Sequence, residues 1–430
     1  MRIISTGDNS FAEIFSAIQK RGKVFDPILW EQVAQIVNQV AEKGDEALFG
    51  YTARFDGHAV DRNTVEISRD DLHEAASQVD KDDRAIMELA AARIRRFHEA
   101  QITGNVTITE ENGTELGNIC LPLERVGVYA PGGLNPYPST VLMAVIPAKI
   151  AGVTEVVLVS PSKTGTINPL TAAAAVISGV DRIFNIGGAQ AIAALAYGTE
   201  SIPRVDKIVG PGNAYVTAAK KMVYGQCDID MIAGPSEVLV VADGTGNPAH
   251  AAADLLSQAE HDEMASAVLV TPDTEFGKKV AAEVDKQVLS LSRRVIAEKS
   301  LASFGAVIIT KDMDEAVDIA NRFAPEHLEL MVASPKDIVK KIRHAGAVFM
   351  GYHTPETLGD YLAGPNHVLP TGGTARFSSP LGVYDFVRRM SVLSFAQEAL
   401  SQYGRQAARF AAMEGLDAHE KSVLIRLNCG

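Results

Sequence analysis

Cysteine is scarce in this sequence: Cys120, Cys227 and Cys429 are the only three in 430 residues, far apart and in no C-x-x-C pair. That excludes a disulfide framework and a thiolate zinc site, and it suits a reducing compartment with the three as packing residues. Positive charge is also in deficit. With 40 Lys and Arg against 53 Asp and Glu the net charge is -13, which argues against sequence-independent binding of nucleic acid. Long hydrophobic runs are missing as well. The longest, 141–153, is interrupted by Lys149 and is too short to cross a bilayer, and the first residues form no apolar secretory segment. The expectation is a soluble cytoplasmic protein with neither a membrane nor a nucleic-acid partner.

What is present is ample core material, 47% hydrophobic residues, in a chain long enough for two or three domains of about 150 residues. Asp26-Pro27 reads as a helix cap followed by a first-turn proline. Leu29, Val33, Ile36, Val37 and Val40 then repeat at helical spacing up to Gly44. A second helix covers about 82–100, with Arg93, Arg95 and Arg96 on a solvated face. From Arg125 the texture changes to short β-branched runs that alternate with alanine-rich helical ones, the signature of parallel, doubly wound sheets. The runs fall into two sets, so the fold expected is α/β with two Rossmann-like doubly wound sheet domains and small helical appendages at each end. The expected division is an N-terminal helical segment, 1–24; a first α/β domain from 25–124 plus 237–380; a second from 125–236; and a helical C-terminal appendage, 381–430.

Ligands in such folds gather at the carboxyl ends of parallel strands, so the turns there come first. Tyr129-Ala130-Pro131-Gly132-Gly133, Gly187-Gly188-Ala189-Gln190 and Gly210-Pro211-Gly212-Asn213 each follow a strand. Glycine lets a ligand approach the backbone, and the following helix N-terminus favours an anion such as a pyrophosphate. None of the three is a G-x-G-x-x-G fingerprint. A different chemistry stands at Pro325-Glu326-His327, where a carboxylate and an imidazole sit side by side. Both can be tuned toward neutral pH for acid/base work, but neighbours in a strand point to opposite faces, so the pair can share a cleft only if the chain bends. Gln258 and His261, three apart at a helix end, could reach one metal ion. Asp360, His367, Glu414 and His419 add further oxygen and nitrogen donors. Seven of the ten histidines lie at or beyond position 250, and a Gln/His/Asp/His set without cysteine would suit zinc or a neighbouring first-row ion.

Taken in order, Tyr129-Ala130-Pro131-Gly132-Gly133, Gly210-Pro211-Gly212-Asn213-Ala214-Tyr215-Val216, Asp230-Met231-Ile232-Ala233-Gly234-Pro235-Ser236-Glu237, Gln258-Ala259-Glu260-His261-Asp262, Pro325-Glu326-His327, the stretch from Gly359 through His367 to Thr371, and Glu414-Gly415-Leu416-Asp417-Ala418-His419 resemble the histidinol dehydrogenases. The resemblance runs from about residue 25 to the C-terminus. It implies a zinc-containing, NAD-dependent homodimer that oxidises L-histidinol to L-histidine through the aldehyde, the last step of histidine biosynthesis. It implies Gln258, His261, Asp360 and His419 as zinc ligands, with His419 donated by the partner subunit. Ser236, Glu356, His367 and Glu414 would help hold histidinol, and Tyr129, Gln190 and Asn213 would contact NAD. His327 would serve as the base for each oxidation, and Glu326 would activate the water that adds to the aldehyde. Two alternatives compete: a related zinc/NAD alcohol dehydrogenase such as a sulfopropanediol dehydrogenase, and a zinc hydrolase in which Glu326 activates water with no redox step.

Overall fold

The computed structural model describes residues 1–22, 26–132 and 136–427, so Gly133 of the first glycine turn, Cys429 and the expected boundary at 24/25 lie outside the described residues. The first strands in chain order are β1 (Arg2–Ser5), β2 (Val106–Thr109), β3 (Glu115–Pro122), β4 (Arg125–Tyr129), β5 (Glu155–Val159), β6 (Arg182–Phe184), β7 (Lys207–Val209) and β8 (Asp228–Ile229). After them come β9 (Glu237–Ala242), β10 (Ser266–Thr271), β11 (Ala306–Ile309), β12 (His327–Met331), β13 (Ala347–Met350) and β14 (Val387–Ser394). A six-stranded sheet has the order β1-β11-β10-β9-β12-β13 and a five-stranded sheet the order β6-β5-β4-β7-β8. Pairing is parallel throughout both. Strands β9 and β10 are buried along their whole length, as a sheet covered by helices on both faces requires. The two doubly wound lobes read from the sequence are therefore present.

Their membership differs from the expected division. The helices Pro27–Lys43 and Asp45–Phe55 put Val33, Ile36, Val37 and Leu48 into one core with Val157, Val159 and Ile192 of the five-stranded lobe. The helices Arg69–Ser77 and Lys81–Glu99 add Leu72, Met87 and Ile94 to the core on that sheet's other face, beside Val126 and Val156. Residues 27–99 thus complete the five-stranded lobe, not the lobe that carries Pro325-Glu326-His327. Helical periodicity reports that a helix has an apolar face; it does not report which sheet the face covers. The N-terminal segment 1–24 is not purely helical either, because β1 precedes the helix Phe11–Lys20 and pairs with β11.

The chain divides into two compact units, Met1–Gln101 with Leu123–Phe386, which holds both lobes, and Ile102–Pro122 with Val387–Gly430. The smaller unit is an antiparallel sheet in the order β14-β3-β2 with the helices Gln397–Met413 and Asp417–Leu427. The strand β14 corrects the expectation that the chain is helical beyond Pro380. It is exposed along nearly its whole length, so it has no inward face to impose the period-2 alternation by which strands are recognised. Among the described residues no helix is long and apolar enough to cross a membrane.

Candidate active site

The helix Met313–Phe323 ends on Ala324, which at φ 54° is the one non-glycine residue with positive φ among the described residues. Pro325 follows with its φ fixed by the ring, and the chain enters β12 at His327. This is the bend that the pair needs. Glu326 Oε2 comes to 3.8 Å from His327 Nδ1, and the two residues are only 7% and 4% exposed. The left-handed alanine costs about 1–2 kcal/mol, a strain of the kind that collects at functional sites.

A residue that sequence reasoning passed over holds the pair in place. Glu237 opens β9 beside β12, and two backbone N–H groups are exchanged for carboxylates: Glu237 N–H donates to Glu326 Oε2 at 3.0 Å, and Glu326 N–H donates to Glu237 Oε2 at 3.2 Å. The other oxygen of Glu237 accepts from the Arg21 guanidinium at 2.9 Å and from Gly372 N–H at 3.0 Å. Arg21 and Glu237 form an ion pair whose side chains are 1% and 2% exposed. The only signal in the sequence was the Pro235-Ser236-Glu237 run, where Glu237 looks like any strand-start carboxylate.

The imidazole is oriented by the same strand. His327 Nδ1 lies 3.0 Å from the Glu237 carbonyl oxygen. Donation there makes Nε2 the ring's second proton site. Nε2 is buried without a hydrogen-bond partner and faces Asp360 Oδ1 at 3.5 Å. Glu356 Oε2 stands 3.7 Å from Nδ1, and Glu329, two residues along β12, accepts the Glu356 N–H at 2.8 Å. The Gln258 amide is best satisfied when its NH2 faces Glu356 Oε2 and the Glu237 carbonyl, which turns its oxygen away from those two acceptors.

Burial and crowding tune these groups. Burial pushes the Glu326 carboxyl up to about 7, partly offset by His327 and reinforced by Glu237. It likewise pushes Glu356 up to about 8 against the pull of His327. For His327 burial acts the other way, but Glu326, Glu356 and Asp360 together outweigh it and raise the ring well above its ordinary value. Asp360 is held below the usual carboxylate range because contacts with His327, His367 and His261 overcome its burial. A carboxyl that titrates near neutrality next to an imidazole with a free nitrogen can exchange protons with a substrate and with water.

Asp360, in the one-turn π-helix Gly359–Ala363, is also the centre of the expected metal ligands. His261, on the turn just beyond the helix Pro248–Ala259, and His367 both lie within its electrostatic reach. Gln258 belongs to the last turn of that helix and is 1% exposed. Among the described residues no group of three or more His, Cys, Asp and Glu is gathered closely enough to hold an ion by itself. The donor chemistry nevertheless fits a divalent cation: the ionised carboxylate of Asp360, the Gln258 carboxamide oxygen turned from its neighbours, and the His261 imidazole, which burial favours in its neutral form. Ser236 immediately precedes Glu237. Glu414 and His419 belong to the smaller unit and are both exposed, Glu414 just past the helix Gln397–Met413 and His419 in the first turn of the helix Asp417–Leu427.

This cluster sits at the amino ends of β9 and β12, contrary to the expectation drawn from strand carboxyl ends. The rule holds in the five-stranded sheet. There the turns after β4, β5, β6 and β7 line a cavity of about 830 Å³ with Tyr129, Pro161, Gln190 and Asn213 in its wall. All three residues expected to meet a cofactor are thus brought together. The expected role of the helix N-termini changes, however, because their donors are already in use. Asn213 Oδ1 accepts from the N–H groups of Tyr215 and Val216, and Gly188 N–H donates to the Tyr129 hydroxyl at 3.2 Å. Lys163 and Arg54, also in the wall, are left as the attraction for an anion.

An acid/base centre on one sheet and a cavity of dinucleotide size at the carboxyl ends of another is the division of labour of an α/β oxidoreductase. Comparison with known proteins agrees. The profile of histidinol dehydrogenase matches residues 19–427. The chain is 54% identical over 427 residues to histidinol dehydrogenase of Syntrophotalea carbinolica, covering 99% of each. It is 52% identical over 428 residues to that of Geobacter metallireducens, covering 99% of this chain and 98% of the relative. The crystal structure of histidinol dehydrogenase from Elizabethkingia anophelis superposes with a TM-score of 0.93 at 35% identity, over 100% of this chain and 98% of the other. The chain belongs to the histidinol dehydrogenase family.

Proposed function

We propose that this chain oxidises L-histidinol to L-histidine in two hydride transfers to NAD, through the aldehyde, as the closing step of histidine biosynthesis in the cytoplasm. The observation that carries the proposal is the His327 ring, committed at Nδ1 to a backbone carbonyl and unpartnered at Nε2, with a near-neutral carboxyl beside it. In the first oxidation Nε2 takes the hydroxyl proton while hydride leaves the carbinol carbon. Glu326 takes a proton from water as it adds to the aldehyde, and His327 then deprotonates the resulting diol for the second hydride transfer. Gln258, His261 and Asp360 would hold zinc, with His419 contributed by a second copy of the chain. Zinc when bound supplies a positive anchor that fixes the amino alcohol. Ser236, Glu356 and His367, with Glu414 of the second copy, would complete the substrate's surroundings. Tyr129, Gln190 and Asn213 would meet NAD.

The test follows nicotinamide reduction with purified protein, zinc, NAD and histidinol, and two reduced cofactors per histidinol are expected. His327→Asn should slow alcohol oxidation by about 10²–10⁴. Glu326→Gln should oxidise the alcohol yet lose the aldehyde step by a similar factor. If Glu326→Gln turned aldehyde into acid at the parent rate, its role as the water's base would be wrong. A hydrolase would give no nicotinamide signal, and a sulfopropanediol dehydrogenase would prefer the sulfonated diol.

A further inference from the structure

We propose that Asp56 is a positioning residue for the cofactor cavity: its carboxylate sets the direction of the Gln190 carboxamide, so that Gln190 meets the dinucleotide with its oxygen and accepts from a hydroxyl or amide donor. The inference rests on the reading of this cavity as the place where NAD binds. The helix Gly188–Tyr197 begins on Gly187, which has no side chain to cap it. The cap comes from elsewhere in the chain. Asp56, just past the end of the helix Asp45–Phe55, accepts the Gly187 N–H through Oδ2 at 3.2 Å, and the same oxygen lies 3.5 Å from Gln190 Nε2. The second distance is at the outer limit of a hydrogen bond, but the acceptor is a carboxylate in a partly dry setting, where such contacts gain strength.

The direction follows from elementary donor and acceptor rules. A carboxylate can only accept, so the amide presents NH2 to Asp56 and carries Oε1 on its opposite edge. Gln190 is 1% exposed and lines the cavity, which leaves it little room to turn once a ligand is seated. Among the described residues the groups facing Asp56 are the Gly187 N–H, the Gln190 amide, the Tyr129 hydroxyl and His58, with no Lys or Arg paired to it. Burial correspondingly raises the Asp56 carboxyl above its usual value against those hydrogen bonds. A half-buried carboxylate with no salt-bridge partner among the described residues is partly desolvated at a cost, which points to a task at this position. Phe55 and Arg54, in the same cavity wall, are tied to the glycine turn through the same bond.

The test is a double-mutant cycle on the zinc-loaded enzyme, with NAD and histidinol varied separately. Asp56→Ala and Gln190→Ala should each raise the KM for NAD by up to about tenfold, the upper end of the worth of one neutral hydrogen bond. The double variant should be no worse than the worse single one, because the two residues act in series. The change should be confined to the KM for NAD. Asp56→Asn, which keeps an acceptor for Gly187 N–H but can offer an NH2 to Gln190, should fall between parent and Asp56→Ala, and it substitutes for the alanine variant should that fail to fold. An unchanged KM in Asp56→Ala beside a raised one in Gln190→Ala overturns the positioning role and leaves the cavity reading standing. No change in either overturns both. Multiplicative effects in the double variant, or a parallel loss in both KM values and kcat, overturn the link through Gln190.

Discussion

Replacement of Glu237 by alanine isolates what holds the acid/base pair in place. The substitution leaves the Arg21 guanidinium buried with backbone carbonyls of Ile18, Met264 and Ser236 as partners but no counter-charge. Removing one member of a buried ion pair costs about 3–5 kcal/mol. Gly372 N–H and Glu326 N–H lose their acceptor as well, and each such orphaned donor costs about 1–3 kcal/mol where water does not reach it. A total of about 5 kcal/mol or more is a large share of the roughly 5–15 kcal/mol that holds a domain together, and it should lower the melting temperature by about 5 °C or more. Urea unfolding followed by circular dichroism measures it. The double variant Arg21→Met with Glu237→Leu removes both charges and should be less destabilised than Glu237→Ala alone, since the dominant cost is an unpaired ion. A Glu237→Ala protein within about 1 kcal/mol of the parent, or a double variant destabilised by the sum of the single ones, would refute this account of the pair.

Gly210 has φ +112°, and a Cβ there would lie 2.1 Å from the Tyr129 carbonyl oxygen. Gly210→Ala should therefore cost about 3 kcal/mol or more by thermal unfolding, as backbone strain and overpacking combine. Burial pushes the Cys227 thiol up to about 12, so native protein at pH 8 should leave it unlabelled by a disulfide reagent that titrates it once unfolded. Above pH 9 the unfolded chain loses that proton and the folded one does not, so stability should fall as pH rises there. If His419 serves the partner's site, mixing inactive His327→Asn and His419→Asn proteins should restore roughly a quarter of parent activity, one intact site in each mixed dimer. A mixture that stays inactive would place His419 in its own chain's site.

The fold was legible wherever burial imposes a pattern. Strands such as Val156–Val159 or Val238–Val241 are β-branched because helices cover both faces, and Asp26 caps its helix through Ile28 and Leu29 N–H as its position beside Pro27 foretold. The packing of residues 27–99 on the five-stranded lobe was not legible, since an apolar helix face fits either sheet. At the site, Glu326 and His327 stood out because two titratable groups follow a proline. Glu237 and Asp56 did not: each acts by accepting backbone N–H groups brought from far along the chain, and that relation exists only after folding.

The edge strand at the very start of the chain has a consequence for biogenesis. Among the described residues Arg2–Ser5 finds its sheet neighbour in Ala306–Ile309, so on the ribosome this strand must wait on the order of tens of seconds for its partner. The five-stranded lobe needs nothing beyond Ile229 to assemble its sheet, although Val368, Leu381 and Phe386 complete the core on one face only later. Until β11 is made the leading strand presents bare backbone donors and acceptors, a template for wrong pairing. Of the two parallel sheets, the one that carries His327 is the later to become complete.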